Sequence, residues 1–348
     1  MRGAPRERRV SAAAPPRASS GAAMEALRAA IRAVEILSPT AIRVAGERME
    51  HTPTDPADPG AVMVPLLAQA LYARCYVRRP GAPAPPPAVP GPGDDLSPLL
   101  SAANPGRERW EDGWHVRQAL SNGCVVAERH GSARFLWPGE FLSPQSPGAP
   151  PRAGARVTRW RPRESATMQP GFFYVFGEEG WDDDAPLVRV YWNVSPEGAP
   201  GLTGAVAAML NRWGVPFRYK CLSMRSLYPR TDAAVLYLGR RSWTLAAELL
   251  GPVHRANAGA LGADTPLFAR RLGRGVSLAD DPGTGESFGM HRCRLLAEGL
   301  WSAWRAGRRG TAERIAAVRD AFGREGISID QPWLAPGRTT DYPGLADD

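Results

Sequence analysis

Apolar positions change their spacing several times along the chain, and each change marks an element. From Met24, "MEALRAAIRAVEIL" places them at helical intervals, and "AVMVPLLAQALYARCYV" at 61–77 does so again. Residues 22–77 therefore read as an N-terminal helical part, with Met24 also a candidate start codon. Between 114 and 137 the runs shorten to "WHVRQAL", "CVVAERH" and "ARFLWP", which predict a β-meander within 96–142. Beyond 155, "RVTRWRP", "FFYVFG", "LVRVYWNVS", "PFRYKCLS" and "DAAVLYLG" read as strands. "GLTGAVAAMLNRWG" predicts a helix stopping at Gly214, and helices follow near 241–257, 287–307 and 310–323. Residues 1–21 have no apolar period and read as a disordered tail. Two proline-rich stretches, 78–95 and 143–154, can continue neither helix nor sheet and read as a linker and a loop. The prediction is an α+β protein: a mixed or antiparallel sheet core flanked by helices over 155–348, behind the N-terminal helical part.

Composition narrows the class. The chain has 348 residues, 43% hydrophobic and 22% charged, as a soluble globular protein does. No run of about 18 apolar residues exists, so no membrane helix is expected. The N-terminus lacks the apolar stretch of a signal peptide. Cys75, Cys124, Cys221 and Cys293 lie far apart without a CxxC pair, and the five histidines are equally scattered. That pattern points to a reducing compartment, the cytoplasm, and argues against a disulfide framework or a zinc site. The net charge of +8 is spread as arginine over the whole chain. Codon usage accounts for that, and so does an anionic ligand or acidic peptide partner. No nucleic-acid-binding motif is present.

Strand alternation then sorts side chains by face. In "LVRVYWNV", Val188, Val190, Trp192 and Val194 share the apolar face, and Arg189, Tyr191 and Asn193 the other. In "FRYKC", Arg218 and Lys220 are polar partners in the same way. One sheet containing both strands would gather these polar residues, either as a solvated face or as a site. Lys220 changes the weighing, because it is the only lysine among 43 basic residues. Arginine replaces lysine as a surface cation but not as a base, since a guanidinium does not give up its proton in a protein. Burial and cationic neighbours lower a lysine pKa and allow a neutral amine to act as general base.

A second candidate is "DDPGTGESFGMHRC", a glycine-rich turn feeding a helix, where free N–H groups could meet an anion. Ser287 is placed to cap that helix, and His291 and Arg292 follow in its first turn. The spacing matches neither a dinucleotide-binding fingerprint nor a Walker A loop. An ordinary capped loop fits the spacing equally well. "WDDDAP" at 181–186 reads as a solvated turn, and Trp110 and Trp114 as packing residues.

"GFFYVFG", "VRVYWNV", "LNRWGVPFRYKC", "YPRTDAAVLYLG", "FARRLGRGVSLADDPGTGESFGMHRC" and "PWLAPGRTTDYPGL" together resemble the HopA-type effector family, over about Leu71 to the C-terminus. Relatives of that plant-pathogen type III effector serve as lyases in class V lanthipeptide and thioamitide biosynthesis. The resemblance implies a reaction in which a phosphotransferase-like kinase partner phosphorylates Ser or Thr of a precursor peptide. The lyase then removes the α-proton and expels phosphate, giving dehydroalanine or dehydrobutyrine. It implies Lys220 as the base, Arg189, Arg230 and Arg292 as the phosphate contacts, and no metal or redox cofactor. The loop and the strand face add Ser287 and Tyr191 to those contacts, and His291 is the acid by analogy with phosphothreonine lyases, which pair a Lys with a His. Neither nucleic acid nor membrane is expected as a partner. The competing expectation is a non-catalytic peptide- or kinase-binding subunit, or an effector-like interaction protein.

Overall fold

The computed structural model describes residues 18–52, 58–82, 91–144, 148–339 and 342–346. Helix α1 (Ala18–Arg32) is followed by strands β1 (Val34–Ser38), β2 (Ala41–Val44) and β3 (Glu47–Glu50). Helix α2 (Gly60–Leu71) runs on into one wide π-helical turn over Tyr72–Tyr76. Helix α3 (Ser97–Ala103) precedes strands β4 (Arg109–Ala119), β5 (Val125–Arg129), β6 (Ser132–Leu136), β7 (Phe141–Leu142) and β8 (Arg156–Arg161). Next come β9 (Glu164–Gln169), β10 (Phe172–Phe176), β11 (Leu187–Trp192), helix α4 (Ala199–Arg212), β12 (Phe217–Leu222) and β13 (Ala234–Gly239). Helix α5 (Trp243–Asn257), strands β14 (Arg270–Gly273) and β15 (Val276–Asp280), and helices α6 (Phe288–Arg305) and α7 (Thr311–Arg324) complete the order.

The predicted α+β class holds: three antiparallel sheets are packed with seven α-helices among the described residues. Several details differ from the sequence reading, among them helix α3 inside the predicted meander segment and strand β9, neither of which it includes. "VEIL" leaves the first helix and becomes β1, because Val34 and Ile36 pair opposite Val44 and Ile42 in a hairpin that buries Val34, Ile42 and Val44. The N-terminal part is thus helix, small sheet, helix. Strand β8 joins the meander rather than the larger sheet, pairing with β4 and β7, so the five-stranded sheet runs β6-β5-β4-β8-β7; residues 145–147 of the second proline-rich stretch lie outside the described residues. The hairpin β14–β15 lies in a stretch that read only as a connection between helices, and all five residues of β15 are buried beside β11. The proposed tail falls mostly outside the described residues, since only its last four, 18–21, are described, within α1. Residues 83–90 of the first proline-rich stretch also lie outside them.

The sheet that matters here has seven strands in the order β14-β15-β11-β13-β12-β10-β9, every neighbour antiparallel. Alternation gives it two unlike faces. Val188, Val190, Trp192, Phe217, Tyr219 and Cys221 point to one, all buried. Helix α4 lies over that face, where the Thr203 hydroxyl reaches the Tyr219 hydroxyl at 3.5 Å. Each such aliphatic or aromatic side chain contributes roughly 1.5–3 kcal/mol by leaving water. The five-stranded sheet docks at one end through Arg161, which donates to the Gly177 carbonyl at 2.7 Å, and through Arg109, which pairs with Glu178 at 3.1 Å. No helix among the described residues is long and apolar enough to cross a membrane.

Candidate functional site

The polar face is assembled by register. Lys220 on β12 stands between Tyr174 of β10 and Val235 of β13, and Arg218 stands between Phe176 and Tyr237. Tyr237 in turn is opposite Arg189 of β11. Pairing therefore brings Arg189, Arg218 and Lys220 onto one surface and surrounds the lysine with rings. Its Nζ lies 4.3 Å from the Phe172 centroid, 5.8 Å from Tyr237 and 5.9 Å from Tyr174. Its hydrogen bond goes to a neutral group, Gln169 Oε1 at 3.0 Å, which also accepts from the Tyr174 hydroxyl at 2.7 Å. Burial brings the Lys220 pKa down to about 8; Arg189 and Arg230 push the same way, and Asp232 opposes them. A cation with aromatic walls and a neutral acceptor keeps less stabilisation than one with a carboxylate, so the neutral amine is within reach near neutral pH.

Two arginines flank it, each held by an aspartate. Arg189 pairs with Asp281 through Nε at 2.7 Å and lies 5.5 Å from the Tyr237 ring. Arg230, on the connection between β12 and β13, grips Asp232 in a two-pronged pair at 2.8 and 2.9 Å. The Tyr72 hydroxyl from the π-helical turn accepts from Arg230 at 3.2 Å and lies 3.3 Å from Asp232, which is 6% exposed. Burial draws the pKa of both guanidiniums down, but the neighbouring carboxylates and tyrosines outweigh it and keep them charged. Each guanidinium thus stays charged, with a carboxylate as its partner.

His291 and Arg292 are placed otherwise. Arg292 is fully buried in the first turns of α6, with Nε donating to the Pro332 carbonyl at 2.7 Å and Nη2 to the Leu334 carbonyl at 2.8 Å. Its Nη1 lies 2.7 Å from His291 Nδ1. Burial, Arg292 and Arg294 lower the His291 pKa to about 4, so the ring is neutral at pH 7 and only 1% exposed. The structure therefore brings Lys220, Arg189 and Arg230 together and commits Arg292 to holding the 332–334 segment on α6. Ser287 caps α6, its hydroxyl accepting from Met290 N at 3.2 Å. The turn before it is engaged by Asp281, which accepts from Gly283 N at 2.9 Å. Tyr191 is 3% exposed and packs against Tyr76 and Phe288; its hydroxyl makes no well-formed hydrogen bond, although Arg189 and Tyr76 are near enough to bear on its ionisation. Asn193 lies past the end of β11 and donates to the Asp264 carbonyl at 3.0 Å.

Sequence reasoning missed Asp232, Asp281, Gln169 and the rings of Phe172, Tyr174 and Tyr237. The rings had a signal: in "FFYVF" alternate aromatics share a face, and pairing that strand with "FRYKC" would have put them beside Lys220. The two aspartates had none, since they enter from connections. Among the described residues no group of His, Cys, Asp or Glu side chains is arranged to hold a metal ion.

No curated protein matches the chain. Among solved structures, the effector protein from Pseudomonas syringae pv. tomato strain DC3000 is 22% identical with a TM-score of 0.39, over 47% of this chain and 63% of that one. The effector protein from Pseudomonas syringae pv. syringae strain 61 is 19% identical with a TM-score of 0.37, again over 47% of this chain and 63% of that one. Residues 163–334, which hold the seven-stranded sheet, its helices and all of the site residues except Tyr72, match the HopA1 effector protein family.

Proposed function

We propose that the chain is a lyase that eliminates phosphate from phosphorylated Ser or Thr of a peptide, leaving a dehydroamino acid. The observation that carries this reading is the setting of Lys220: a half-buried amine with a pKa near 8, hydrogen-bonded to a neutral amide and flanked by two arginines. Elimination needs a base for a weak carbon acid and cations for a departing phosphate. Lys220 takes the α-proton; the C–H electron pair becomes the Cα=Cβ bond; the Cβ–O bond breaks and its pair leaves with phosphate. Arg189 and Arg230 receive the phosphate oxygens in exchange for Asp281 and Asp232. An ester bound as its monoanion departs as hydrogen phosphate. One bound as its dianion needs a further proton, for which the newly formed Lys220 ammonium and the Tyr72 hydroxyl are the donors on this face. His291, enclosed beside Arg292, is not required.

The rings around Lys220 favour a second reading. An ammonium 4.3 Å from the Phe172 centroid is also a stable cation, as a peptide-binding or effector-like interaction protein would use it. The two readings part on turnover. The protein incubated with a phosphothreonine peptide should release inorganic phosphate and give the dehydrated peptide by mass, and leave the unphosphorylated peptide unchanged. Tight binding of the phosphopeptide without phosphate release would support the second reading.

A further inference from the structure

A second concavity, which Lys220 itself does not line, adjoins its strand. A cleft of 680 Å³ lies where the five-stranded sheet meets the end of β10 and β12. Its inner wall is unusually rich in cations. Arg129, Arg159 and Arg161 all approach one carboxylate, Glu111, at 3.8, 3.6 and 2.7 Å. Arg134 and Arg218 share a second, Asp183. Five arginines on two acids leave a surplus, and the remaining acids of the wall, Asp182 and Asp184, sit exposed at its rim. The arginines are also drawn out of water: Arg159 lies over Trp114 at 5.4 Å and Arg218 over Trp181 at 4.6 Å. Like charges crowded between low-dielectric walls focus a positive field into the cleft. The pKa of Arg218 falls to about 10, through burial first and then Arg134 and Arg161.

The cleft adjoins the lysine's face of the sheet. Arg218 and Lys220 are alternate residues on the same face of β12, about 7 Å apart along the strand. Met168, beside Gln169, and Phe176 line the cleft on that side. At the lysine, by contrast, the two arginines are each matched by an aspartate.

We infer that this cleft binds the acidic side chains of a peptide whose phosphorylated residue sits at Lys220, recognising Asp or Glu about two to six residues from the phosphorylated position. The spacing follows from an extended peptide, which advances about 3.3 Å per residue. The inference rests on the lyase reading only for what occupies Lys220; the acidic preference follows from the cleft alone.

The test is fluorescence anisotropy with the full chain and two labelled phosphothreonine peptides, one flanked on both sides by Glu and one by Gln. The Glu-flanked peptide should bind at least ~10-fold tighter at low salt, and that advantage should fall towards unity at about 0.5 M salt, where the Debye length is a few Å. The Arg129→Gln/Arg159→Gln double variant should lose most of the advantage and keep the affinity of the Gln-flanked peptide. Equal binding of the two peptides by the wild-type protein overturns the inference without any variant having to fold. So does a single-stranded RNA that displaces the Glu-flanked peptide at equal charge concentration, which would make the cleft a general polyanion surface. A retained Glu preference without phosphate release leaves the cleft standing and sinks the lyase. Phosphate release with no Glu preference does the reverse.

Discussion

Lys220 and Arg292 are both withdrawn from water, and among the described residues neither hydrogen-bonds a carboxylate. They differ in what replaces the carboxylate. Arg292 spends its fork on two backbone carbonyls and a neutral histidine, so each of its three nitrogens has an acceptor and the guanidinium is a fastening. Lys220 has one acceptor, Gln169, three rings, and two arginines close enough to lower its pKa. A cation with an acceptor at every nitrogen holds structure. One that is under-satisfied and half-exposed is poised to change its protonation. A buried charge by itself is therefore a poor guide to a site, and the identity of its acceptors decides.

The comparison breaks most visibly at Arg292. Arg292→Leu strands the Pro332 and Leu334 carbonyls and should destabilise the protein by roughly 2–5 kcal/mol, read as a lower urea midpoint at unchanged slope. A variant as stable as wild type would remove Arg292 from the role of fastening. Lys220 should respond in the opposite direction. Its folded pKa of about 8 lies below the unfolded lysine value, so the unfolded chain binds more protons between about pH 8 and 10.5, and stability rises with pH across that window. Below pH 8 the folded state carries the whole cost of the buried ammonium. Lys220→Met should thus raise stability at pH 7 by about 1–2 kcal/mol and by much less at pH 10. A destabilised Lys220→Met at pH 7 would place Lys220 with Arg292. The smallest effect concerns the resting partner of Arg189. Asp281→Asn leaves that guanidinium free for phosphate and should tighten phosphopeptide binding about 3-fold in a titration; weaker binding would mean that Asp281 orients Arg189 rather than competing for it.

Much of this was legible beforehand. The alternation in "LVRVYWNV" and "FRYKC" placed Arg189, Arg218 and Lys220 on one face, and the antiparallel register puts them there. The Ser287 cap was readable from a hydroxyl placed ahead of a helical pattern. What could not be read was depth. Helical spacing places His291 and Arg292 at the start of α6, but whether that turn faces a cleft or the 332–334 segment depends on a packing partner some 40 residues away. Asp232 and Asp281 reach the site from connections, which carry no period. The β14–β15 hairpin was hidden for a related reason: a strand buried on both faces has no alternation to reveal it.

The central claim is that Lys220 works by losing a proton, and Lys220→Arg tests it most directly. The variant keeps the charge and the attraction for phosphate and removes only the neutral state. In single-turnover conversion of a phosphothreonine peptide, followed by mass, the wild-type rate should climb with pH and level off near pH 8. Lys220→Arg should bind the peptide but convert it at least ~100-fold more slowly at every pH, the low end of what a positioned general base contributes. A near-native rate in Lys220→Arg, or a wild-type rate indifferent to pH between 6 and 9, would contradict the account.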